Sequence, residues 1–241
     1  MRDGRGGVLA VAVLLAVLTG CGGGMTGEPS ASRPPATPSP SPGATVTPFP
    51  DSAEPVAVEP GAYRIPRSGW SAVDFTVTVP EGWTAQYGQC CLKHPDAPDE
   101  LGFYAVVVDA IYADACEGDG ELTEVGPTVD DLTAALLRQP GPMATGPVDT
   151  TLGGYPASRI DLTVPEGIDL KACRLEGIGL QIWYSPPADK YFVLLPDGIA
   201  SVYVVDVDGQ RQVFLTQYRS ATSDEDLQEL QAILDSIHIE T

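Results

Sequence analysis

Basic residues and histidine are scarce in this chain. Its 241 residues include 13 Lys and Arg against 33 Asp and Glu, so the formal net charge is −20 at pH 7. The phosphates of nucleic acids and anionic lipid headgroups repel a protein of that charge. We therefore expect no nucleic-acid partner, and we expect the acidity to serve mainly for solubility.

Sequence motifs of catalysis are missing as well. The chain has two histidines, His94 and His238, and no G-x-S-x-G, H-E-x-x-H or phosphate-binding glycine loop. His238 lies in the alternating segment SIHIE, which is typical of a surface residue. Cys91 and His94 are near enough in sequence to form a nucleophilic pair, but a free thiol fits poorly beside other cysteines of an oxidised domain. We expect neither catalytic residues nor a cofactor.

No hydrophobic run is long enough to cross a membrane. The run at residues 8–18 has eleven residues, whereas a transmembrane helix needs about 20. It follows Arg2 and Arg5 and precedes small residues, which is the layout of a secretory signal peptide. Glycines on both sides of the run argue against the alternative, a buried N-terminal helix.

Residues 18–21 read Leu-Thr-Gly-Cys and closely resemble the bacterial lipobox. The resemblance implies cleavage before Cys21 and a diacylglyceryl thioether, with acyl chains such as palmitate, on its sulfur. Two acyl chains hold a protein at a bilayer durably, whereas one chain binds only marginally. We therefore predict a signal peptide over residues 1–20 and a lipoprotein anchored in the cell membrane through Cys21, with the rest of the chain on the outer, cell-wall side.

A proline-rich segment follows the predicted anchor. Residues 22–60 contain ten prolines among Ser, Thr, Ala and Gly. This composition buries too little apolar surface to offset the entropy of ordering, so it predicts a disordered tether over residues 21–60. In the extended polyproline II form, at ~3.1 Å per residue, the tether would reach about 100 Å. Residues 61–241 remain as one extracytoplasmic domain, long enough to bury a core.

Four cysteines remain beyond the anchor. An even number in an exported domain predicts two disulfides, with three possible connectivities. Cys116 and Cys173 each follow a strand-like run, so a bridge between them would join two loops at sheet ends. Cys90 and Cys91 would then form a vicinal disulfide or a thiol pair. Zinc bound by these cysteines and His94 is an alternative, but adjacent cysteines lack the usual ligand spacing.

Most of the domain reads as β-strands, and the candidate segments include VDFTVTV, ASRIDLTV, GFYAVVVDAIY, GLQIWY and YFVLL. The segment ASVYVVDVDGQRQVFLTQYRS is the most informative, because Asp208-Gly209 is a dipeptide favoured in two-residue type I′ hairpin turns. That turn would place Asp206 opposite Arg211 as a charge pair. It also pairs Val204 with Val213, Val202 with Leu215, Val205 with Gln212 and Tyr203 with Phe214. Both faces of the hairpin are then apolar, so each face needs a cover.

Two amphipathic helices are available as covers. The first has Thr128 as its N-cap and ends at Pro140-Gly141, and the second begins at Thr222 or Ser223. Their apolar stripes consist of Val129, Leu132 and Leu136, and of Leu227, Leu230, Ile233, Leu234 and Ile237. We therefore predict an α+β fold, an antiparallel β-sheet covered by helices on both faces.

These features resemble a family of exported lipoproteins. A lipobox, a proline-rich tether, a two-sided antiparallel sheet and a C-terminal amphipathic helix are similar to actinobacterial lipoproteins with a PsbP-like α/β/α sandwich, among them the LpqN-type mycobacterial group. The phrases GPTVDDLTAAL, GGYPASRIDLTVP and LQAILDSIHIE also resemble lipoproteins of high-GC Gram-positive bacteria. The resemblance implies a non-catalytic binding or accessory role and supplies no catalytic residues.

Two further features point to binding sites. An acidic loop and the turn residues Asp206 and Asp208 offer oxygen ligands, but neither has the spacing of a helix-loop-helix calcium site. The weak calcium candidates in the loop are Asp114, Glu117, Asp119 and Glu121. We expect a solvated loop and no metal. Trp70, Trp83 and Trp183 belong to the core or its rim, or one of them lines a pocket between sheet and helix.

The sequence leaves three functions open. The first is a binding module for a small apolar or envelope ligand or a protein partner, without catalysis. The second is a structural or interaction accessory of the envelope that has no ligand pocket. The third is a redox or hydrolytic enzyme, and its redox form would need a free thiol of low pKa at Cys90 or Cys91.

Overall fold

The computed structural model describes residues 46–88, 91–117, 120–185 and 190–240, and these form three β-sheets and two short helices. The strands follow in chain order. They are β1 Thr47–Pro48, β2 Val56–Ala57, β3 Gly61–Ile65, β4 Asp74–Val79, β5 Thr84–Ala85, β6 Leu92–Lys93, β7 Leu101–Val106, β8 Ala110–Tyr112, β9 Leu122–Glu124, β10 Met143–Leu152, β11 Tyr155–Thr163, β12 Leu180–Ser185, β13 Lys190–Leu194, β14 Gly198–Val207, β15 Gln210–Arg219 and β16 His238–Glu240. The helices are α1 Val129–Arg138, before β10, and α2 Asp224–Asp235, after β15.

An eight-stranded sheet, which we call the central sheet, organises the fold. Its strand order is β10-β11-β14-β15-β7-β6-β5-β2, and its neighbouring strands are antiparallel. Two four-stranded sheets accompany it. The first cover sheet has the order β1-β3-β4-β16, and the second cover sheet has the order β13-β12-β8-β9.

The hairpin β14-β15 has the predicted register. Asp206 pairs with Arg211, and the pairing continues without a shift to Gly198 and Arg219. Asp208 and Gly209 have φ angles of 52° and 86°, the two positive values that a type I′ turn requires. The turn prediction is therefore confirmed.

The predicted charge pair between Asp206 and Arg211 is wrong. Asp206 Oδ1 instead accepts the backbone N–H of Gly209 at 2.7 Å, which closes the turn. The Arg211 guanidinium donates to the backbone carbonyls of Val108, Gly126 and Thr128. The Asp206 carboxylate therefore stabilises the hairpin turn, and Arg211 binds the segment that leads into α1.

The hairpin is buried on both sides, and two hydrophobic clusters result. The first cluster includes Val205 and Phe214 and joins the central sheet to the first cover sheet and α2. The second includes Val204 and Leu215 and joins the opposite face to the second cover sheet and α1. Each face of the central sheet is thus covered mainly by strands, with one helix beside them.

The predicted fold class, an antiparallel sheet covered by helices on both faces, is therefore wrong. The helices of 10 and 12 residues are roughly 15–18 Å long. An eight-stranded sheet is on the order of 35 Å wide, so one such helix cannot cover a face. Segments predicted as strands of a single sheet, among them GLQIWY and VDFTVTV, form the cover sheets instead.

Both predicted helices are present with their caps. Thr128 caps α1 in a capping box with Asp131, and Ser223 caps α2 by accepting the N–H of Asp226. Leu132 and Leu136 are fully buried on α1, as the apolar stripe predicts. The last segment, SIHIE, contains strand β16, in which His238 is exposed.

Short strands also precede residue 61, inside the segment predicted to be a tether. β1 pairs with β3, and β2 pairs with β5. Phe49 and Val58 belong to the first hydrophobic cluster, and the ring of Phe49 packs edge-on against Tyr63 at 5.6 Å between centroids. Residues 46–60 therefore contribute to the packing of the domain. Residues 1–45 lie outside the described part of the chain.

One of the predicted disulfide pairings is present. Cys116 and Cys173 are bonded across a sequence separation of 57 residues, and the bridge joins the loop after β8 to the loop before β12. Arg174 also donates its backbone N–H to the Cys116 carbonyl at 2.8 Å, so a backbone hydrogen bond joins the two loops beside the bridge. Cys91 is fully buried and disulfide-bonded, whereas Cys90 lies outside the described residues.

None of the helices in the described ranges is both long enough and apolar enough to span a bilayer.

Candidate functional site

A cleft lies between the central sheet and the second cover sheet. Its volume is about 350 Å³. One wall comes from β7 and β15, through Tyr104, Val106, Leu215 and Gln217. The facing wall comes from β12 and β13, and the loops that carry Trp70, Tyr87 and Glu100 complete the site. We refer to this space as the aromatic cleft, because its lining residues include Trp70, Tyr87, Tyr104, Trp183, Tyr191 and Phe192.

Strand alternation explains which side chains of β7 face the cleft. Leu101, Phe103 and Ala105 belong to the first hydrophobic cluster, so Gly102 and Tyr104 lie on the opposite face. The ring of Tyr104 lies back over Gly102. A Cβ at Gly102 would come within 2.6 Å of the Tyr104 hydroxyl oxygen and 2.8 Å of two ring carbons. The absent side chain of Gly102 therefore makes the room in which the Tyr104 ring rests.

The hydroxyl of Tyr104 is a proton donor at neutral pH. Burial, together with the negative charge of nearby Glu100, raises the pKa of Tyr104 above its ordinary value. The ring therefore stays uncharged, with an electron-rich face.

Aromatic pairs fix other parts of the wall. Trp183 on β12 and Phe192 on β13 pack with 4.5 Å between ring centroids, and Trp183 is only 1% exposed. Trp70 and Tyr87 lie 6.5 Å apart between ring centroids.

The space lined by Trp70 and Trp183 is a cleft between two sheets, whereas the sequence suggested a pocket between sheet and helix. Trp83 is a core residue whose indole Nε1 donates to Glu229 at 3.0 Å.

One polar group in the cleft wall is left without a partner. Ser185, at the end of β12, is 2% exposed, and its hydroxyl has no hydrogen-bond partner in the described part of the chain. An unsatisfied buried hydroxyl costs about 1–3 kcal/mol. The hydroxyls of Thr133 and Thr163, away from the cleft, are also buried without a partner among the described residues. Gln217 presents an amide from the opposite wall and is 9% exposed.

The charge inventory of the cleft is simple. Among the described residues that line it, Glu100 is the one carboxylate, and there is no lysine, arginine or histidine. The lining therefore offers aromatic faces, a few hydrogen-bonding groups and a single negative charge. Stacking and burial dominate what it can do.

The predicted calcium candidates do not form a cluster of ligands in the described residues. Asp114 Oδ1 accepts the backbone N–H groups of Cys116 and Glu117, each at 2.8 Å, so this carboxylate closes a turn. Glu117 and Glu121 are exposed, and Asp119 lies outside the described residues. Cys21, the predicted lipidation site, also lies outside them.

A different group of potential metal ligands is brought together by β6 and α2. One atom each of His94, Asp99 and Asp226 lies within 4.8 Å of the others. Lys93 already supplies a positive charge there, since its Nζ contacts Asp226 Oδ1 at 2.6 Å and Glu229 Oε2 at 2.7 Å. We interpret this group as an ion-pair network that fastens α2 to the central sheet.

Tyr104, Ser185 and Glu100 were not predicted from the sequence as site residues. One signal was available, because a glycine inside a strand marks a close approach of other atoms, and GFYAVVV places Gly102 two residues before a tyrosine. Ser185 and Glu100 follow no pattern in the sequence. Their role depends on which strands become neighbours.

Comparisons with known proteins add little to this geometry. No protein-family model matches the chain, and no curated protein matches it. One solved structure with some likeness is that of LpqN of Mycobacterium tuberculosis, described as involved in cell envelope biogenesis. The identity is 14% over 78% of this chain and 90% of that one, with a TM-score of 0.36. We infer neither fold nor function from a likeness of that size.

The ion-pair network predicts how stability responds to acid. The hydrogen bonds from Lys93 and Ser223 lower the pKa of Asp226 below its ordinary value. A carboxylate with a lowered folded-state pKa stabilises the fold above its unfolded pKa of about 3.9, and this contribution is lost as the pH falls through the folded value. We expect Asp226→Asn to lower the free energy of unfolding by about 1–3 kcal/mol at pH 7, and by progressively less as the pH falls below about 3.9. Urea denaturation across this pH range measures both. Asp224→Asn, at an exposed position of the same helix turn, is the control, and an equal loss in both variants would contradict the assignment.

Proposed function

We propose that this protein is an exported lipoprotein whose domain binds a small, largely apolar ligand in the aromatic cleft, without catalysis. The observation that carries the proposal is the space between the central sheet and the second cover sheet, whose described lining is mostly aromatic and aliphatic. Gly102 leaves room for the Tyr104 ring against the central sheet, so the space beside that ring stays open. A lining of this kind binds apolar molecules by burial and stacking.

The size and lining of the cleft support a small molecule. Ligand pockets are typically ~300–1,000 Å³, mostly apolar, with a few convergent polar groups. The aromatic cleft, at about 350 Å³, is at the small end of that range. Gln217 on β15 and Gln86 are the neutral amide residues of the described lining, so the cleft combines a mostly apolar wall with a few polar groups.

The proposed location of the protein in the cell envelope rests on the sequence. A lipobox at Cys21 and a proline-rich segment after it favour a domain held outside the membrane, in the cell envelope. A binding module there would take up or present a hydrophobic envelope molecule.

Gly102→Ala tests whether the cleft is the binding site. The new methyl group would displace the Tyr104 ring, and because Tyr104 lines the cleft we expect the ring to enter the space that a ligand would occupy. We expect the variant to bind the uncharged fluorescent probe N-phenyl-1-naphthylamine on the order of tenfold more weakly than the wild-type chain. Both proteins should carry Cys21→Ser, because a chain without the acceptor thiol needs no detergent during the titration.

Gly61→Ala is the matched control for this experiment. Gly61 is also a strand glycine without a left-handed φ angle, and the nearest atom to a Cβ built there is 4.0 Å away. Its affinity for the probe should equal that of the wild-type chain. If both alanine variants bind the probe as tightly as the wild type, the cleft is not the site, and if the probe does not bind the wild-type chain, the cleft does not take neutral apolar molecules.

Intact-mass analysis of the protein extracted from bacterial membranes tests the anchor. We expect a chain that begins at Cys21 and carries a diacylglyceryl group, because lipobox processing removes residues 1–20. The Cys21→Ser variant cannot be acylated at this position, so we expect it to be absent from the membrane fraction. A product that retains Met1 and carries no added hydrocarbon would contradict the proposal.

A further inference from the structure

We infer that the ligand of the aromatic cleft carries an alkylated ammonium group, held between aromatic faces and the Glu100 carboxylate. This inference rests on the proposed function and specifies the chemical class of ligand. It follows from three properties of the described lining, namely its charge, its aromatic content and the state of its polar groups.

The charge of the lining favours a cation. Glu100 is the one ionised side chain among the described lining residues, and no basic side chain neutralises it there. Its Oε2 accepts the backbone N–H of Asp96 at 2.7 Å, which holds the carboxylate in place without cancelling its charge. The whole chain has a net charge of −20, so the surrounding field also attracts cations and repels anions.

The aromatic rings favour an organic cation over a metal ion. The faces of Trp and Tyr rings carry partial negative charge, and they bind alkylated ammonium groups within about 6 Å of the ring centroid. The cleft contributes the ring of Tyr104, which is near enough for the Glu100 charge to act on its hydroxyl, and the rings of Trp70 and Tyr87. A metal ion would need several oxygen ligands, and the lining provides one carboxylate.

The polar groups favour a fully alkylated nitrogen. A primary ammonium has three N–H donors, each of which needs an acceptor when buried. A quaternary ammonium has no N–H and therefore no such need, and its methyl groups pack against apolar walls such as Val106 and Leu215.

A pair of probes that differ only in charge tests this inference. Choline and 3,3-dimethylbutan-1-ol have nearly the same shape, with a quaternary nitrogen in one and a carbon in the other. We expect the wild-type protein to bind choline about tenfold more tightly than the alcohol, as cation–π contacts in a partly desolvated site provide. A nuclear magnetic resonance titration, which follows lining residues such as Leu215, measures both dissociation constants.

Glu100→Gln identifies the carboxylate as the source of the preference. The glutamine carbonyl oxygen is able to accept the Asp96 N–H, so the loop keeps its hydrogen bond. This variant should bind choline on the order of tenfold more weakly and the alcohol unchanged. Glu124→Gln is the control, because it removes the same charge from an exposed position on β9, the opposite edge of the second cover sheet. Glu124→Gln should keep the preference for choline.

The outcomes separate this inference from the proposed function. Equal binding of the two probes to the wild-type protein would overturn the cation assignment, and so would an equal loss in both glutamine variants. If neither probe binds while N-phenyl-1-naphthylamine does, the cation assignment fails and the cleft remains a binding site for neutral molecules. If none of the three binds, both proposals fail.

Discussion

The two-sided burial of the hairpin β14-β15 is the constraint on which the rest of the structure depends. Val204 and Leu215 face one side, and Val205 and Phe214 face the other, all of them at most 2% exposed. A hairpin that is apolar on both faces is stable only between two covers. The chain meets this requirement by using β1, β3, β4 and β16 together with α2 on one side, and β8, β9, β12 and β13 together with α1 on the other.

The aromatic cleft follows from how the second cover ends. Close packing of aliphatic side chains joins β12 to the middle of the central sheet, as at Ile182 and Val202. Toward β7 and β6 the facing residues change to Tyr104, Gln217 and Phe192, which are larger or polar. The cover leaves a space there, and Gly102 keeps the Tyr104 ring against the sheet so that the space stays open. The candidate site therefore lies where the close packing between the central sheet and the second cover sheet ends.

Local patterns of the sequence predict much of this fold. Four features were predicted correctly because each depends on neighbouring residues or on a small set of pairings. They are the Asp208-Gly209 turn, the register of its hairpin, the two helix caps and the Cys116–Cys173 bridge.

The fold class was predicted wrongly because strand patterns do not say which sheet a strand joins. GLQIWY reads as one more strand, and only its pairing with β8 and β13 makes it a cover. The cleft could not be predicted from the sequence for the same reason. Its walls combine Trp70, Tyr104, Ser185 and Gln217, which come from four separate segments. Strand partners are fixed by burial over the whole domain and not by local propensity.

Contacts between a bound molecule and individual side chains test the central claim most directly. In an isotope-edited nuclear Overhauser experiment with bound N-phenyl-1-naphthylamine, we expect cross-peaks from the probe to the Tyr104 and Phe192 rings and to the Leu215 methyl groups. All three belong to the aromatic cleft. Cross-peaks to Phe103, Val205 or Leu230, on the opposite side of the central sheet, would contradict the claim that the gap between the central sheet and its second cover is where this protein binds its ligand.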